Sequence, residues 1–528
     1  MYYKILRIGS VDMNKYIKLK ESKKINKPDT DFSKNLFYSV YSLTGEEKIV
    51  YGKVLEGEEG EIDQISIMSE EMLDMDNKYF DNKTTDYHPY FCEFSIDSSK
   101  KLDKITKKIL KSSIGKWLKM RIIGEQFSDG DAYSLQGELI FSASPIIRVG
   151  CYLTFDFSNY EESFSEISFY KFYKMMKKNN LWNVVDGYSE NETKVIKERF
   201  KSITNEIVGL QGFVYNVGQG NCISIDFQND EGIKSIFCDI GESMAPKDVA
   251  EEQFYIEKNS KKISKVDPSI ILLSHWDLDH ILGVHLLSEK VFIDIDKQKE
   301  TTYWIAPNLK MLSKEKISVS SARLCAYLVK NKVILMFGNG VSESLDETKK
   351  LVSVLESKDK KIKIYQGTGR DTANGIRNNI GLILSIEVDT NNNKSQKMTQ
   401  RLLFTGDCEY AQMHSEIFRE KYDFLVTAHH GSKYAVLNES SDMNCCVDAQ
   451  GHARAIISTG VNRYHHPEAE HINALIANGF EINFTIGYQW IEFDISDKRA
   501  LEIKHYPNKK QREKINSEQL NKLEIKNF

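Results

Sequence analysis

The C-terminal half of this 528-residue chain reads as α/β, with sheets covered by helices on their outer faces, and a smaller mixed α+β region precedes it. Two observations predict this. From about Gly209 onward, short β-rich runs recur with helical patterns between them. Ten of the 12 histidines fall between His275 and His471, and several follow directly on an apolar run, where a strand would hand the chain to a loop. The runs are FVYNV at 213–217, CISIDF at 222–227, SIFCDI at 235–240, IILLS at 270–274, YWIAP at 303–307 and VILMF at 333–337. They continue with IGLILSIEV at 380–388, RLLFTG at 401–406, FLVTA at 424–428, AIIST at 455–459 and INFTIGYQWIEFDI at 482–495.

The rest of the chain divides around that half. Residues 1–160 form an unassigned α+β domain, with extended segments such as YFCEFSI at 90–96 and VGCYLTFDF at 149–157, an acidic block from Glu56 to Asp81 and a basic block over 100–121. In the basic block Leu102, Ile105 and Ile109 recur at helical spacing, so it reads first as an amphipathic helix with a solvated lysine face, and otherwise as a phosphate-binding helix. Residues 161–208 are a helical linker, with Ser189 and Glu192 as a capping box. Residues 209–500 are the candidate catalytic domain, and 501–528 are a charged tail read as helical.

Composition narrows the function. With 71 basic against 76 acidic side chains the net charge is −5, which excludes a wholly polybasic binder and leaves nucleic-acid affinity to a local patch. No apolar stretch approaches the roughly 18 residues a membrane span needs, and the charged start lacks a signal-peptide pattern, so a cytoplasmic location without membrane attachment is expected. The eight cysteines include no CxxC pair and read as reduced, structural thiols.

The chemistry is concentrated in SHWDLDHILG at 274–283. An apolar strand delivers His275, Asp277, Asp279 and His280 within six residues; positions i and i+2 of an extended segment face the same way, and His280 joins from the turn into a helix. Two imidazoles and two carboxylates this close are costly to pack without a cation. Later runs end in further candidate ligands: Asp407 after RLLFTG, His429 and His430 after FLVTA, and His465 and His466 in the loop after AIIST. His285, His414, His452 and His471 have no partner spacing and read as surface or core histidines.

These segments resemble the metallo-β-lactamase superfamily, whose HxHxDH signature appears here as HWDLDH with Asp277 in place of the second histidine. The HxDxDH form, with VGQGN at 217–221, CDIGES at 238–243, RNNIG at 377–381, TGD at 405–407, HHGSK at 429–433 and NRYHHP at 462–467, is similar to the hydrolase domain of ComEC-type DNA-uptake proteins. The resemblance spans about residues 210–495. It implies an αββα sandwich with two divalent metal ions, His275 and Asp277 holding one, Asp279 and His280 the other, and Asp407 bridging both. One of His429 and His430 completes the second site; His430 is favoured as ligand and His429 as a substrate or acid/base contact, so that His429, Asp279 and Asp407 form the catalytic group. The histidine of the superfamily's third motif is missing, and Asn378 or Asn379 is expected to line the gap. Asp239 is expected to orient a ligand, while Asn379, Lys433, Arg463 and His466 are the candidate substrate contacts.

Three carboxylates and three imidazoles without a thiolate form a hard ligand set, favouring Mn²⁺ with Zn²⁺ or Mg²⁺ as alternatives. Two ions about 3.5–4 Å apart suit phosphodiester hydrolysis. The expected function is a DNA nuclease, partner-regulated through its N-terminal domain by analogy with bacterial antiviral defence hydrolases. The alternatives are a small-molecule phosphodiesterase or esterase, on a nucleotide or phosphocholine-like substrate, and a binding module with a vestigial metal site.

Overall fold

The structure is a computed structural model that describes most of residues 48–155 and 209–507; the larger stretches left out within these limits are 242–267, 285–301 and 338–350. The chain divides into two compact units, Met1–Asp186 with Leu312–Lys332, and Gly187–Met311 with Val333–Phe528. Residues 312–332, within the expected 209–500 region, group with the first unit. The capping box at Ser189 and Glu192, like His285, lies outside the described residues.

The first unit is built on a closed barrel in the order β1-β2-β3-β5-β6-β4, with β1 Lys48–Leu55, β2 Gln64–Met68, β3 Phe91–Ile96, β4 Trp117–Ile123, β5 Tyr133–Ser142 and β6 Ile147–Phe155, antiparallel throughout. Closure removes the exposed strand edges of so small a sheet. The helix Glu70–Phe80 starts at Ser69, whose hydroxyl accepts from the Met72 N–H at 3.2 Å. The basic block forms the helix Lys104–Ser112 and then β4. Its inward face is set by Thr106, Leu110 and Ser113, with Ile109 half-buried, while Lys104, Lys107, Lys108 and Lys111 are exposed.

Polar side chains tie the helix Val319–Lys330 into this unit. The Arg323 guanidinium donates to both oxygens of Asp76, at 2.8 Å each for its closest contacts, and both residues are buried. The buried Glu93 carboxylate accepts from Ser66 Oγ and Gln64 Nε2 at 3.0 Å each and from Ser320 Oγ. Burial pushes the Glu93 carboxyl up to about 7, the three hydrogen bonds and Arg323 only partly opposing it.

The second unit holds two sheets. The eight-stranded one runs β12-β11-β10-β9-β8-β7-β20-β21, with β7 Gly209–Tyr215, β8 Cys222–Asn229, β9 Gly232–Ile240, β10 Pro268–Leu272, β11 Tyr303–Pro307, β12 Ile334–Phe337, β20 Tyr488–Asp494 and β21 Glu502–Pro507. The seven-stranded one follows chain order, with β13 Leu351–Ser357, β14 Lys360–Gln366, β15 Leu382–Asn391, β16 Lys397–Phe404, β17 Lys421–Val426, β18 Asp448–Ile457 and β19 Glu481–Phe484. Strands β9 to β12 and β16 to β19 are parallel neighbours, the remaining pairs antiparallel.

Period-2 alternation makes the core between the sheets. Leu402, Phe404, Phe424, Val426 and Ile456 pack there with Ile225, Ile236, Leu272 and Phe493, while Leu403, Leu425, Ala455 and Ile457 point the other way, into a second cluster that includes Ile472 and Leu475 of the helix Ala469–Ala477. The tail expectation is corrected in part: residues 502–507 extend the first sheet, because Ile503 packs on the core and Tyr506 stacks on Trp490. Five of the cysteines, Cys92, Cys222, Cys238, Cys325 and Cys408, are buried free thiols. Among the described residues no helix is long and apolar enough to cross a membrane.

Candidate metal centre

The candidate ligands lie beyond the carboxyl ends of parallel strands, where chains leaving adjacent strands converge. Strand β10 leads to Ser274, His275, Asp277, Asp279 and His280, β16 to Asp407, and β17 to His429 and His430. The backbone there is unusual. Asp239, His429 and His430 have φ of 57°, 46° and 51°, a left-handed conformation that costs a non-glycine residue about 1–2 kcal/mol. Gly406, at φ 53°, lets the β16 turn approach the β10 turn: a Cβ there would stand 2.5 Å from Ser274 Cβ.

Asp407 is the hub. Its Oδ2 lies 3.2 Å from His280 Nε2, 3.6 Å from His430 Nε2, 3.7 Å from His429 Nε2 and 3.9 Å from His275 Nε2. Asp279 Oδ2 stands 3.7 Å from His430 Nε2, and its Oδ1 4.0 Å from His280 Nε2. Ligand atoms of Asp279, His280, Asp407 and His430 all lie within 4.8 Å of one another. Donors on one tetrahedral ion at about 2.1 Å would be about 3.4 Å apart, so the set needs only a small contraction to hold one.

Hydrogen bonds at the opposite ring nitrogens aim the imidazoles. His280 Nδ1 donates to Asp239 Oδ2 at 2.8 Å, and His430 Nδ1 to the Ser458 carbonyl at 2.9 Å. Ser274 Oγ gives its proton to Asp239 Oδ2 at 2.7 Å, so at 3.0 Å it accepts from His275 Nδ1. Asn374 donates its amide to the Asp407 carbonyl at 2.8 Å and accepts from His429 Nδ1. Each ring thus turns Nε2 toward the centre, the arrangement in which partners on the far nitrogen fix a ligand's tautomer. The buried atoms His275 Nε2, His280 Nε2, His430 Nε2 and Asp407 Oδ1 have no hydrogen-bond partner. Unsatisfied buried polar atoms facing one point are what a cation would satisfy, and the residues fit a divalent metal.

The electrostatics agree. Burial lowers His275 well below the usual histidine range, with His280 adding to it, and burial pushes His430 down to about 4. Burial acts to lower His280 too, but Asp407, Asp239 and Asp279 outweigh it and hold its pKa well above the usual value. Burial acts to raise Asp407, yet His280, His430 and His429 keep it well below the carboxylate range. Asp279 is pushed up to about 7 by burial. With Nδ1–H committed to Asp239, the proton His280 can exchange sits on Nε2, so proton and metal are alternatives for one place.

Other expected residues lie around this set or outside the described residues. Asp277 is 3.8 Å from His275 Nε2 through Oδ2, but its Oδ1 forms an ion pair at 3.2 Å with Arg377, and it stands outside the four-residue set. Asn379 is buried and braces a turn, donating to Arg370 O at 3.1 Å and Thr372 Oγ1 at 2.8 Å and accepting from Glu409 N at 3.2 Å. Asn378 donates to Asn374 O. These bonds bind the asparagines to their own loop and to the turn after Asp407, and it is Arg377 from the same turn that reaches Asp277. Lys433 pairs with Glu468 at 3.2 Å, while the buried His466 lies 5.6 Å, ring to ring, from His429. Arg463 and His465 lie outside the described residues. Ser274, Asn374, Arg377 and Ser458 escaped sequence reasoning; only the RNN string around Arg377 offered a signal.

A sequence model of the metallo-β-lactamase superfamily matches residues 245–351, a span that includes HWDLDH. The C-terminal half carries a metallo-β-lactamase-fold domain, the fold of a superfamily that is in general hydrolytic and metal-dependent. Among solved structures, the chain is similar to the metallo-β-lactamase fold protein YhfI from Bacillus subtilis at 14% identity, over 54% of this chain and 99% of that one, with a TM-score of 0.29. It is also similar to a long-form RNase Z from yeast at 13% identity, over 59% of this chain and 48% of that one, with a TM-score of 0.30. No curated protein matches.

Proposed function

We propose that the chain is a metal-dependent phosphodiester hydrolase acting on DNA. The observation that carries this reading is the convergence of buried, otherwise unsatisfied imidazole nitrogens on Asp407, with Asp279 beside them. Asp279, His280, Asp407 and His430 would hold a divalent ion, and two carboxylates with two imidazoles and no thiolate favour Mn²⁺ over Zn²⁺ or Mg²⁺. When bound, such an ion lowers the pKa of water toward about 7 and withdraws charge from a phosphoryl oxygen.

The chain's own residues supply the rest. Asp239 and Ser274 lock His280 and His275 in place. Asn374 holds His429 with Nε2 3.7 Å from Asp407 Oδ2, where it can accept a proton from an attacking water. His466, whose ring meets that of His429 edge to face, would contact the phosphate. The ComEC-like motifs support DNA as the substrate, and regulation by a protein partner on the N-terminal unit, as in a bacterial defence system, belongs to the same proposal.

The test is digestion of supercoiled and linear DNA with Mn²⁺, beside bis-p-nitrophenyl phosphate. Cleavage of DNA that stops on chelation is expected. Cleavage of the small ester alone would shift the reading to a small-molecule phosphodiesterase; no cleavage, with less than one ion bound per chain, would leave a binding module.

A further inference from the structure

The resemblance implies a second ion on His275 and Asp277. We propose instead that the guanidinium of Arg377 stands in for that second cation, so that the chain binds one divalent ion tightly and keeps a fixed positive charge beside it; this rests on the reading of the centre as a metal site.

Three observations carry the inference. Asp277 Oδ1 is 3.2 Å from Arg377 Nη1, so the carboxylate that would hold a second ion already has a cation. Among the described residues, the atoms that all lie within 4.8 Å of one another belong to Asp279, His280, Asp407 and His430; His275 and Asp277, 3.8 Å apart, join no second such set. The turn that carries Arg377 is braced from within: Ile376 N–H donates to Asp371 Oδ1 at 3.1 Å, Asn378 to Asn374 O at 2.8 Å, and Asn379 to Thr372 Oγ1 at 2.8 Å.

The chemistry fits. An arginine side chain stays protonated at any physiological pH, so its charge cannot be withdrawn to make room for an ion. A dication on His275 and Asp277 would have to share the one Asp277 carboxylate with that guanidinium, in a mostly buried site where like charges are poorly screened. The superfamily's third-motif histidine, missing here, would have been that ion's remaining imidazole. On this proposal a permanent charge stands where the superfamily pattern has an exchangeable one.

The experiment measures ion stoichiometry rather than turnover. The full chain is stripped, titrated with Mn²⁺ alone and with Zn²⁺ alone, and read by elemental analysis after desalting and, for Mn²⁺, by electron paramagnetic resonance. Wild type is expected to retain one ion per chain with an isolated-ion signal. Arg377→Gln should take up a second ion at least about tenfold more tightly than wild type and show exchange coupling between manganese ions, whereas Arg377→Lys, which keeps the charge, should behave as wild type. Two equivalent ions in wild type, or an Arg377→Gln protein that binds no more metal than wild type, would overturn the proposal while leaving the metal-dependent reading intact. No ion in any of the three proteins would instead remove the reading it rests on.

Discussion

Replacing Asp239 by Asn tests how the centre is held without touching a proposed ligand. The aspartate accepts three hydrogen bonds: Ser274 N–H at 2.6 Å on Oδ1, and Ser274 Oγ at 2.7 Å and His280 Nδ1 at 2.8 Å on Oδ2. Asn keeps one oxygen, which suffices for Ser274 N–H, and turns an NH₂ toward the other two partners. His280 Nδ1 must then accept, and its proton moves to Nε2, 3.2 Å from Asp407 and on the side the metal needs. Asn is also among the few residues that tolerate the φ of 57° found here, so the change adds little backbone strain. Losing such a partner of a ligand histidine costs about 10–100-fold in metal affinity, or about 1.4–2.7 kcal/mol. A Mn²⁺ titration against a competing chelator reads the affinity, and the metal-dependent rise in melting temperature should shrink in step. An affinity within about twofold of wild type would show that Asp239 does not set the state of His280, and the tautomer argument for the whole centre would fail with it.

Other outcomes follow from the same geometry. Asp279→Asn should abolish hydrolysis while circular dichroism stays that of wild type; full activity would refute the role of the four-donor set. In the barrel unit Glu93, raised to about 7 from 4.5, holds a proton in the folded chain over a range where the unfolded chain has released it. Stability therefore falls as pH rises from about 4.5 to about 7 and levels off above, by at most about 3 kcal/mol. Glu93→Gln should flatten that dependence in thermal unfolding between pH 5 and 8, and parallel curves for the two proteins would contradict it. Changing the exposed Lys104, Lys107, Lys108 and Lys111 to Glu should weaken DNA cleavage and reduce its salt dependence if the helix forms part of the DNA track; unchanged salt dependence would exclude it.

What could be read from the sequence was whatever is written locally. HWDLDH, TGD and HHG each place several ligand-type side chains next to an apolar strand, and the structure brings His275, Asp279, His280, Asp407, His429 and His430 to one point. Strand β11 and the LLF end of β16, apolar on both faces, were equally plain. The barrel was not, because its strands carry buried polar groups whose partners are far off in sequence: Lys53 donates to Ile317 O, and Glu93 accepts from Ser320. Strand β14, KKIKIYQ, alternates charge with apolar residues and has no motif to draw attention. Arg377 and Asn374 reach the centre through contacts with residues far off in sequence, which leave no spacing to detect.

The excursion of residues 312–332 has a consequence for how this chain could have been assembled and how it can be taken apart. Because the polypeptide leaves the second unit between β11 and β12, packs Arg323 against Asp76 and returns, the barrel unit is completed by a segment encoded within the two-sheet unit. A fragment starting at Gly187 would keep every proposed ligand yet carry a helix whose buried arginine has lost its carboxylate. A fragment ending at Asp186 would lack the helix that covers Asp76. Neither half is a transferable module as it stands: a cut between Asp186 and Gly187 separates Arg323 from Asp76, so expression of either unit alone calls for redesign of the stretch between β11 and β12.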